Sequence, residues 1–348
     1  MKKIGIFSVG TGGHVIPARS IVEQLIESGI SLEEFVIVTD ARGSKYFKGL
    51  DIKLHIKDIY RSKNGIIGYV LNVYGIFKTL LEIKNIILDE NIKIIFSTGS
   101  YIAPLASFLC LILNIRFISQ EQNIYSGLGN KTASYFPGKI FTSFPETNNI
   151  NKKKIEFVGP VINKKLFKEN KKENKQLTIG IQGGSQGSLE INNYFSEFIR
   201  KKSFQDMNLN VRFVHITGDK HNLDDSHFVK EYEQYDFISD MNTFYQKIDL
   251  QISRSGGGAF EAAYLDIPQI LIPYRHGTTS RHQTLNARYF ESIGLAIIAN
   301  TYLDFENHMF NIFKNPNDWK ERYFKESEII TGNDKICNYL LEELNESI

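Results

Sequence analysis

Ser253-Arg-Ser-Gly-Gly-Gly-Ala-Phe-Glu261 decides how this chain is read, because an apolar strand-like piece, Leu250 to Ile252, runs into three consecutive glycines there. Ala259, Phe260, Ala262, Ala263 and Leu265 then follow with helical spacing, which puts Gly256, Gly257 and Gly258 where strand turns into helix. Such a turn offers unpaired backbone N–H groups and the positive end of a helix dipole to an anion, most commonly a phosphate. Glu261 falls about one turn into the helix. A carboxylate there can accept hydrogen bonds from the vicinal hydroxyls of a ribose, so the stretch points to a nucleotide; the plain alternative is a tight turn with a solvated glutamate.

Working outward, strand Gln269 to Ile272 delivers Pro273-Tyr-Arg-His-Gly277, and a helix from Arg281 to Ser292 carries His282, Gln283 and Asn286. Upstream, strand Leu177 to Ile181 is followed by Gly183-Gly-Ser-Gln-Gly187 and a helix from about Leu189 to Lys201, and strand Val211 to Thr217 ends at Gly218-Asp-Lys. Phe237-Ile-Ser-Asp-Met241 leads into a short helix, and a last strand, Ala296 to Ala299, precedes helical material ending with Ile336 to Leu344. This alternation of strand and helix predicts a parallel sheet covered on both faces.

The first half repeats the scheme. Strand Lys2 to Val9, turn Gly10-Thr-Gly-Gly-His14, a helix from about Val15 to Ser28 and strand Phe35 to Thr39 open it. Strands Lys93 to Ser97 and Arg116 to Ser119 run into Thr98-Gly-Ser-Tyr101, with an apolar helix behind it, and Gln120-Glu-Gln-Asn123; Lys139 to Thr142 and Ile155 to Val158 close the sheet. Polar residues at strand carboxyl ends are where open α/β sheets bind ligands, so His14, Tyr101 and Asn123 are offered to whatever accepts a transferred group. Gly10 and Gly12 resemble a dinucleotide fingerprint, but Val15 stands where the third glycine is needed, and no Gly-Lys-Ser/Thr phosphate loop occurs. His14 reads equally as a structural or a catalytic histidine.

At 348 residues two domains are expected, separated by the polar linker Val161 to Lys175. With 42% hydrophobic and 23% charged residues the composition is that of a globular chain, and a net charge of +2 argues against a nucleic-acid partner. Cys110 and Cys337 lie in apolar helical segments as buried thiols, with no zinc-like Cys/His spacing. Met1-Lys-Lys enters a strand without a signal-peptide pattern and no apolar run has membrane-spanning length, so the chain is expected in the cytoplasm. One segment, Arg61 to Ile87, is unusually apolar: Ile66, Ile67, Tyr69, Val70, Leu71, Val73, Tyr74, Ile76, Phe77, Leu80 and Leu81 are interrupted or flanked by Arg61, Lys63 and Lys78. It reads either as a loop leading into a core helix or as a surface that dips into a bilayer.

Gly10-Thr-Gly-Gly-His-Val-Ile-Pro17, Glu121-Gln-Asn with Gly127-Leu-Gly-Asn-Lys131, Gly183-Gly-Ser-Gln-Gly187, and Ser253-Arg-Ser-Gly with Glu261, Gln283 and Asn286-Ala287 resemble, in order and nearly end to end, the signatures of the MurG family. These are UDP-N-acetylglucosamine transferases acting on undecaprenyl-pyrophosphoryl-N-acetylmuramyl-pentapeptide (lipid I). The resemblance implies an α/β chain with the GT-B glycosyltransferase fold, two Rossmann-like parallel-sheet domains facing a cleft. Residues 1–160 would take the acceptor and face the membrane, residues 161–332 would take the UDP-sugar, and a helix of about 333–348 would pack back on the first domain. It further implies inverting transfer of N-acetylglucosamine to the 4-hydroxyl of the muramyl sugar, giving lipid II for peptidoglycan synthesis.

By the same resemblance His14 is the base. Donor contacts fall at Thr11, Gly12, Gly13, Asn123, Ser185, Ile238, Gly256, Gly257, Gly258, Glu261, His282, Gln283 and Asn286, with uracil near Ile238, ribose at Glu261, diphosphate over Ser185 and the Gly256–Gly258 turn, and sugar hydroxyls at Gln283. Tyr101, Glu121 and Gln122 lie on the acceptor side. No cofactor and no catalytic metal are expected, and the partners are UDP-N-acetylglucosamine, lipid I and the inner-leaflet surface, at the cytoplasmic face of a bacterial inner membrane. The chain departs from the family pattern at Ser100, Gln120, Ile162 and His282, and its Gly256-to-Glu261 interval is one residue short. Those departures bear on the acceptor more than the donor, and leave as alternatives a GT-B transferase with another lipid or polysaccharide acceptor and a non-catalytic nucleotide-sugar binding protein. A nicotinamide-dependent oxidoreductase is the third alternative, favoured only by Asp40 after the second strand.

Overall fold

The computed structural model describes residues 2–58, 66–163, 165–166, 176–218, 226–277, 280–315 and 318–346, with backbone only for 66–71 and 226. Contacts divide the chain into two units, Met1–Asn163 with Thr331–Ile348, and Lys164–Ile330.

In the first unit the described strands are β1 (Lys3–Phe7), β2 (Phe35–Thr39), β3 (Lys53–Ile56), β4 (Ile92–Ser97), β5 (Arg116–Glu121), β6 (Lys139–Thr142) and β7 (Ile155–Phe157). They pair in parallel in the order β3-β2-β1-β4-β5-β6-β7. Ile4, Ile6, Val36, Val38, Ile94, Ile95 and Phe96 are fully buried, the near-continuous apolar strands that a sheet covered on both faces requires. Helices α1 (Gly12–Glu27), α2 (Ile66–Asp89), α3 (Ile102–Leu113) and α4 (Leu128–Ala133) follow β1, β3, β4 and β5. One core joins α1 to β1, β2 and β4 through Val15, Ala18, Ile21, Val22 and Leu25, and a second joins α2 and α3 to the same strands through Ile83, Ile87, Ala103 and Ala106.

The second unit repeats this plan with β8 (Leu177–Gln182), β9 (Val211–Ile216), β10 (Glu231–Tyr235), β11 (Leu250–Ser253), β12 (Gln269–Leu271) and β13 (Ala296–Ile298). Their order is β10-β9-β8-β11-β12-β13, again all parallel. Helices α5 (Leu189–Arg200), α6 (Met241–Tyr245), α7 (Gly257–Tyr264), α8 (Ser280–Ser292) and α9 (Tyr302–Lys314) connect or follow these strands. Phe195, Phe198 and Ile199 of α5 and Phe305, Met309 and Ile312 of α9 are buried together in its core.

The last helix, α10 (Asn333–Glu346), belongs to the first unit, where Ile336, Cys337 and Leu340 share the core of α1. Residues Val161 to Asn163, expected as the start of a linker, are tied to it: the Asn333 side chain accepts from Ile162 N and donates to Ile162 O, both at 2.9 Å, and Ile162 is buried. Lys164 and residues 167–175 of that expected linker lie outside the described residues. Cys110 and Cys337 are free and buried, and burial pushes the Cys110 thiol up.

Strands β3 and β10, which the sequence did not announce, are sheet edges. Lys53, Leu54 and Ile56 of β3 are exposed, and β10 reads Glu-Tyr-Glu-Gln-Tyr. Charged edges discourage pairing with another chain, and they also erase the apolar signal of a strand. Strand β5 runs two residues beyond its expected end, so Gln120 and Glu121 sit inside the buried sheet rather than in the loop after it.

Candidate functional site

Both sheets reverse their strand order once, between β1 and β4 and between β8 and β11, and open α/β sheets bind ligands at the carboxyl ends flanking such a reversal. Each of the two places carries glycine turns.

At the first, α1 begins at Gly12 immediately after the turn, so Gly12, Gly13 and His14 form its opening residues. Thr11 is its N-cap, yet its side chain makes no capping bond and the first turn holds no acidic residue, so the first-turn amides are not capped by a side chain of the helix. A Cβ on Gly13 would meet nothing within 4 Å, so protein packing does not demand glycine there. His14 is half-buried, and its Nδ1 lies 2.8 Å from the carbonyl oxygen of Thr98 across the β1/β4 reversal. A carbonyl only accepts, so Nδ1 carries the hydrogen; in the neutral ring that leaves the lone pair on Nε2, the tautomer a base needs.

Beside it, Asp40 is buried and its carboxylate is fully engaged. Gly10 N and Gly43 N donate to Oδ1 at 2.9 and 2.8 Å, while Arg42 Nε, Arg42 Nη2 and the Tyr101 hydroxyl donate to Oδ2 at 3.0, 2.8 and 3.1 Å. Burial works against its charge, but these donors hold Asp40 below the usual carboxylate range; burial and Asp40 together push Tyr101 up to about 12. Asp40 therefore has no oxygen left for a ribose, which removes the one feature that favoured a nicotinamide enzyme.

Glu121 organises the loop that follows β5. It is buried at the end of β5 and accepts from Asn123 N and Nδ2, Ser126 Oγ, Gly127 N and Asn130 Nδ2 at 2.9 to 3.2 Å. Asn123 is placed by that carboxylate, and the neighbouring Gln122 keeps a buried Nε2 without a hydrogen-bond partner among the described residues. The signal for Glu121 was there in principle, since a carboxylate two residues before Asn and six before Gly can gather a turn.

At the second reversal, Gly256 is the N-cap of α7, again with no side-chain cap and no acid in the first turn. A Cβ on Gly257 would meet nothing within 4 Å, whereas one on Gly258 would crowd Gln182 Nε2 at 3.0 Å. The first glycine leaves open space above the turn and the second packs against what lies beneath. Ser185 sits half-buried in the neighbouring turn, which Gly187 N closes on Gly184 O at 3.0 Å with φ of 82° at Gly184 and 74° at Gly187. Such left-handed angles favour glycine.

Arg254, quoted in the sequence signature but given no role there, joins the turns. It donates to Glu190 Oε2, Ser188 Oγ and Ile272 O at 2.7, 2.7 and 2.9 Å. Glu261 is half-buried one turn into α7, where its Oε2 accepts from Tyr245 at 2.8 Å. Burial pushes its carboxyl up to about 7, against the pull of the Tyr245 hydrogen bond. Ile238 lies half-buried in the loop before α6, two residues ahead of Asp240, which caps that helix.

On α8, His282 and Gln283 are half-buried, and Gln283 Oε1 accepts from Tyr274 N at 3.2 Å while its Nε2 lies 3.8 Å from where a Gly256 Cβ would stand. Asn286 is buried and donates to Ser255 O at 3.0 Å, so it braces the glycine turn. Among the described residues no cluster of His, Cys, Asp and Glu could hold a metal ion.

Comparison with known proteins agrees with this layout. Residues 4–142 match the glycosyltransferase family 28 N-terminal domain, and residues 178–313 match the family 28 C-terminal domain. The UDP-N-acetylglucosamine–N-acetylmuramyl-(pentapeptide) pyrophosphoryl-undecaprenol N-acetylglucosamine transferase of Staphylococcus epidermidis is 30% identical, covering 94% of this chain and 96% of its own; that of Clostridium novyi is 30% identical, covering 97% and 98%. Among solved structures, Acinetobacter baumannii MurG superposes with a TM-score of 0.78 at 21% identity, over 98% of this chain and all of its own, and S. aureus MnaA with UDP scores 0.68 at 12% identity, over 99% and 97%. Those two likenesses show the shared fold, and the near-full-length identity to the curated relatives shows more: the chain is a glycosyltransferase of the MurG family.

Proposed function

We propose that this chain transfers N-acetylglucosamine from its UDP carrier to the 4-hydroxyl of the N-acetylmuramyl unit of lipid I, giving lipid II. The observation that carries the reading is His14, fixed by Thr98 O with Nε2 as its basic atom at an uncapped helix start. In this reading Nε2 takes the proton of the attacking hydroxyl while the anomeric carbon leaves UDP with inversion. The first-turn amides of α7 and the turn at Ser185 stabilise the charge growing on the diphosphate, Gln283 Nε2 reaches the sugar, and Glu261 accepts from the ribose. Preorganised backbone dipoles of this kind can supply the larger share of such a rate enhancement, so we read the transfer as needing no metal.

A membrane surface as the place of work is supported by α2 and α3. Val73, Tyr74, Ile76, Phe77 and Leu81 of α2, and Leu111 and Ile112 of α3, are exposed, with Lys78 among them. Among the described residues no helix is long and apolar enough to cross a membrane. Aliphatic and aromatic side chains with interspersed lysine suit a helix lying in the headgroup region; Arg61 and Lys63 lie outside the described residues. Incubating the protein with labelled UDP-N-acetylglucosamine and a lipid I analogue tests the reading. Acceptor-dependent label in the lipid is expected, and label moving only to a different glycan or lipid would transfer the assignment to that acceptor.

A further inference from the structure

Three glutamines stand on adjacent strands: Gln182 ends β8, Gln251 is second in β11 and Gln269 begins β12. Gln182 is 7% exposed, and Gln251 and Gln269 are 0% exposed. Parallel register sets Gln251 opposite Gln269, and Gln182 opposite Ser253, so all three share one face. Buried amides are costly unless every hydrogen bond is made, and here the bonds have a forced direction.

The Ala259 carbonyl only accepts, so Gln269 turns Nε2 toward it at 3.0 Å and its Oε1 away. That oxygen takes Gln251 Nε2 at 3.0 Å, Gln251 Oε1 takes Gln182 Nε2 at 2.8 Å, and the same Gln182 nitrogen donates to the Tyr245 hydroxyl at 3.1 Å. Tyr245 oxygen is thereby an acceptor, with one hydrogen left to give. Glu261 Oε2 at 2.8 Å is nearer than Gly258 O at 3.3 Å and bears charge when ionised, which makes it the stronger partner.

We propose that Gln269, Gln251, Gln182 and Tyr245 form a one-way hydrogen-bond relay that fixes the Glu261 carboxylate for the ribose hydroxyls, and so sets the preference for ribonucleotide over deoxyribonucleotide donors. This rests on the reading of Glu261 as the ribose contact. Tyr245 and the glutamines are positioning residues that act through Glu261, because the tyrosine is itself buried beneath the turn. Tyr245 is the titratable group facing Glu261, and it favours the ionised carboxylate that can accept from both hydroxyls.

The test measures binding of UDP and of 2′-deoxyuridine diphosphate to the intact protein by calorimetry, for the wild type, Glu261→Ala, Tyr245→Phe and Gln182→Leu. The wild type should prefer UDP, and Glu261→Ala should abolish the preference. Tyr245→Phe should reduce it about tenfold, the worth of one hydrogen bond to a charged group, with deoxynucleotide affinity, which keeps only the 3′-hydroxyl contact, falling by a smaller factor. With UDP-N-acetylglucosamine as donor, that variant should raise KM and leave kcat within about twofold. Gln182→Leu, which frees Tyr245 to turn toward Gly258 O, should shift the preference the same way by a smaller factor, and serves if Tyr245→Phe does not fold. An unchanged preference in both relay variants, or equal loss of affinity for both nucleotides, overturns the relay while the ribose contact stands. An unchanged preference in Glu261→Ala overturns the ribose contact, and the relay with it.

Discussion

With Glu261 as the proposed ribose contact, donor binding should depend on pH in a direction that the surroundings of its carboxyl dictate. Burial lifts its carboxyl from 4.5 to about 7, so near neutrality the unliganded protein is divided between a form that can accept from two ribose hydroxyls and one that cannot. With that midpoint the ionised fraction rises from about a tenth at pH 6 to about nine-tenths at pH 8, so UDP should bind about tenfold more tightly at pH 8. The stability of the unliganded protein runs the other way. A raised folded-state value means that stability is fully present below about 4.5 and is lost as pH rises through about 7, by no more than about 3 kcal/mol given the partial exposure of the side chain. Calorimetric titration of wild type and Glu261→Gln at the two pH values separates this from the nucleotide's own phosphate titration, which both proteins share. If the ratio of wild-type to Glu261→Gln affinity does not change between pH 6 and pH 8, the carboxylate is not the ribose contact that its burial and Tyr245 bond suggest.

Three further outcomes follow from other parts of the molecule. His14→Gln can still donate to Thr98 O but supplies no base, so kcat at saturating donor should drop by about 10² to 10⁴ with both Michaelis constants within about threefold; near-normal turnover would exclude His14 as the base. Glu90 is buried, yet Lys53 and Lys3 at 2.5 and 3.0 Å outweigh burial and hold its carboxyl down to about 2. The resulting stabilisation, about 1–2 kcal/mol once the exposure of Lys53 is discounted, is present above pH 4.5 and fades as pH falls toward 2, so Glu90→Gln should flatten acid unfolding in that window, and an unaltered acid transition would contradict the pairing. Replacing Tyr74 and Phe77 together by glutamate should weaken binding to anionic vesicles and slow transfer to acceptor embedded in them, while transfer to a short-chain soluble acceptor stays within about twofold; equal loss on both acceptors would argue against a lipid-facing role.

The central strands and glycine turns were legible because each declares itself locally. Phe35–Thr39 and Lys139–Thr142 were expected at the bounds the structure shows, as runs of buried apolar residues between polar breaks. Edge strands β3 and β10 were not legible, since a strand facing solvent carries the lysines and glutamates of a loop. Glu121 and Asn286 were visible as motif members, but sequence order alone does not show the hydrogen bonds by which each braces its loop. The glutamine relay was hidden most deeply. Gln182, Gln251 and Gln269 lie in three separate strands, and only parallel register brings their amides together. Tyr245, on a five-residue helix, joins them from a fourth element.

The central claim is that an alcohol readied by His14 displaces UDP from N-acetylglucosamine. The most direct measurement is two-dimensional NMR of the product made from UDP-N-acetylglucosamine and a soluble lipid I analogue. A β-linked N-acetylglucosamine on O4 of the muramyl sugar, formed by wild type and reduced by His14→Gln, is the predicted result. An α-linked product, attachment at another oxygen, or release of free N-acetylglucosamine alone would contradict it.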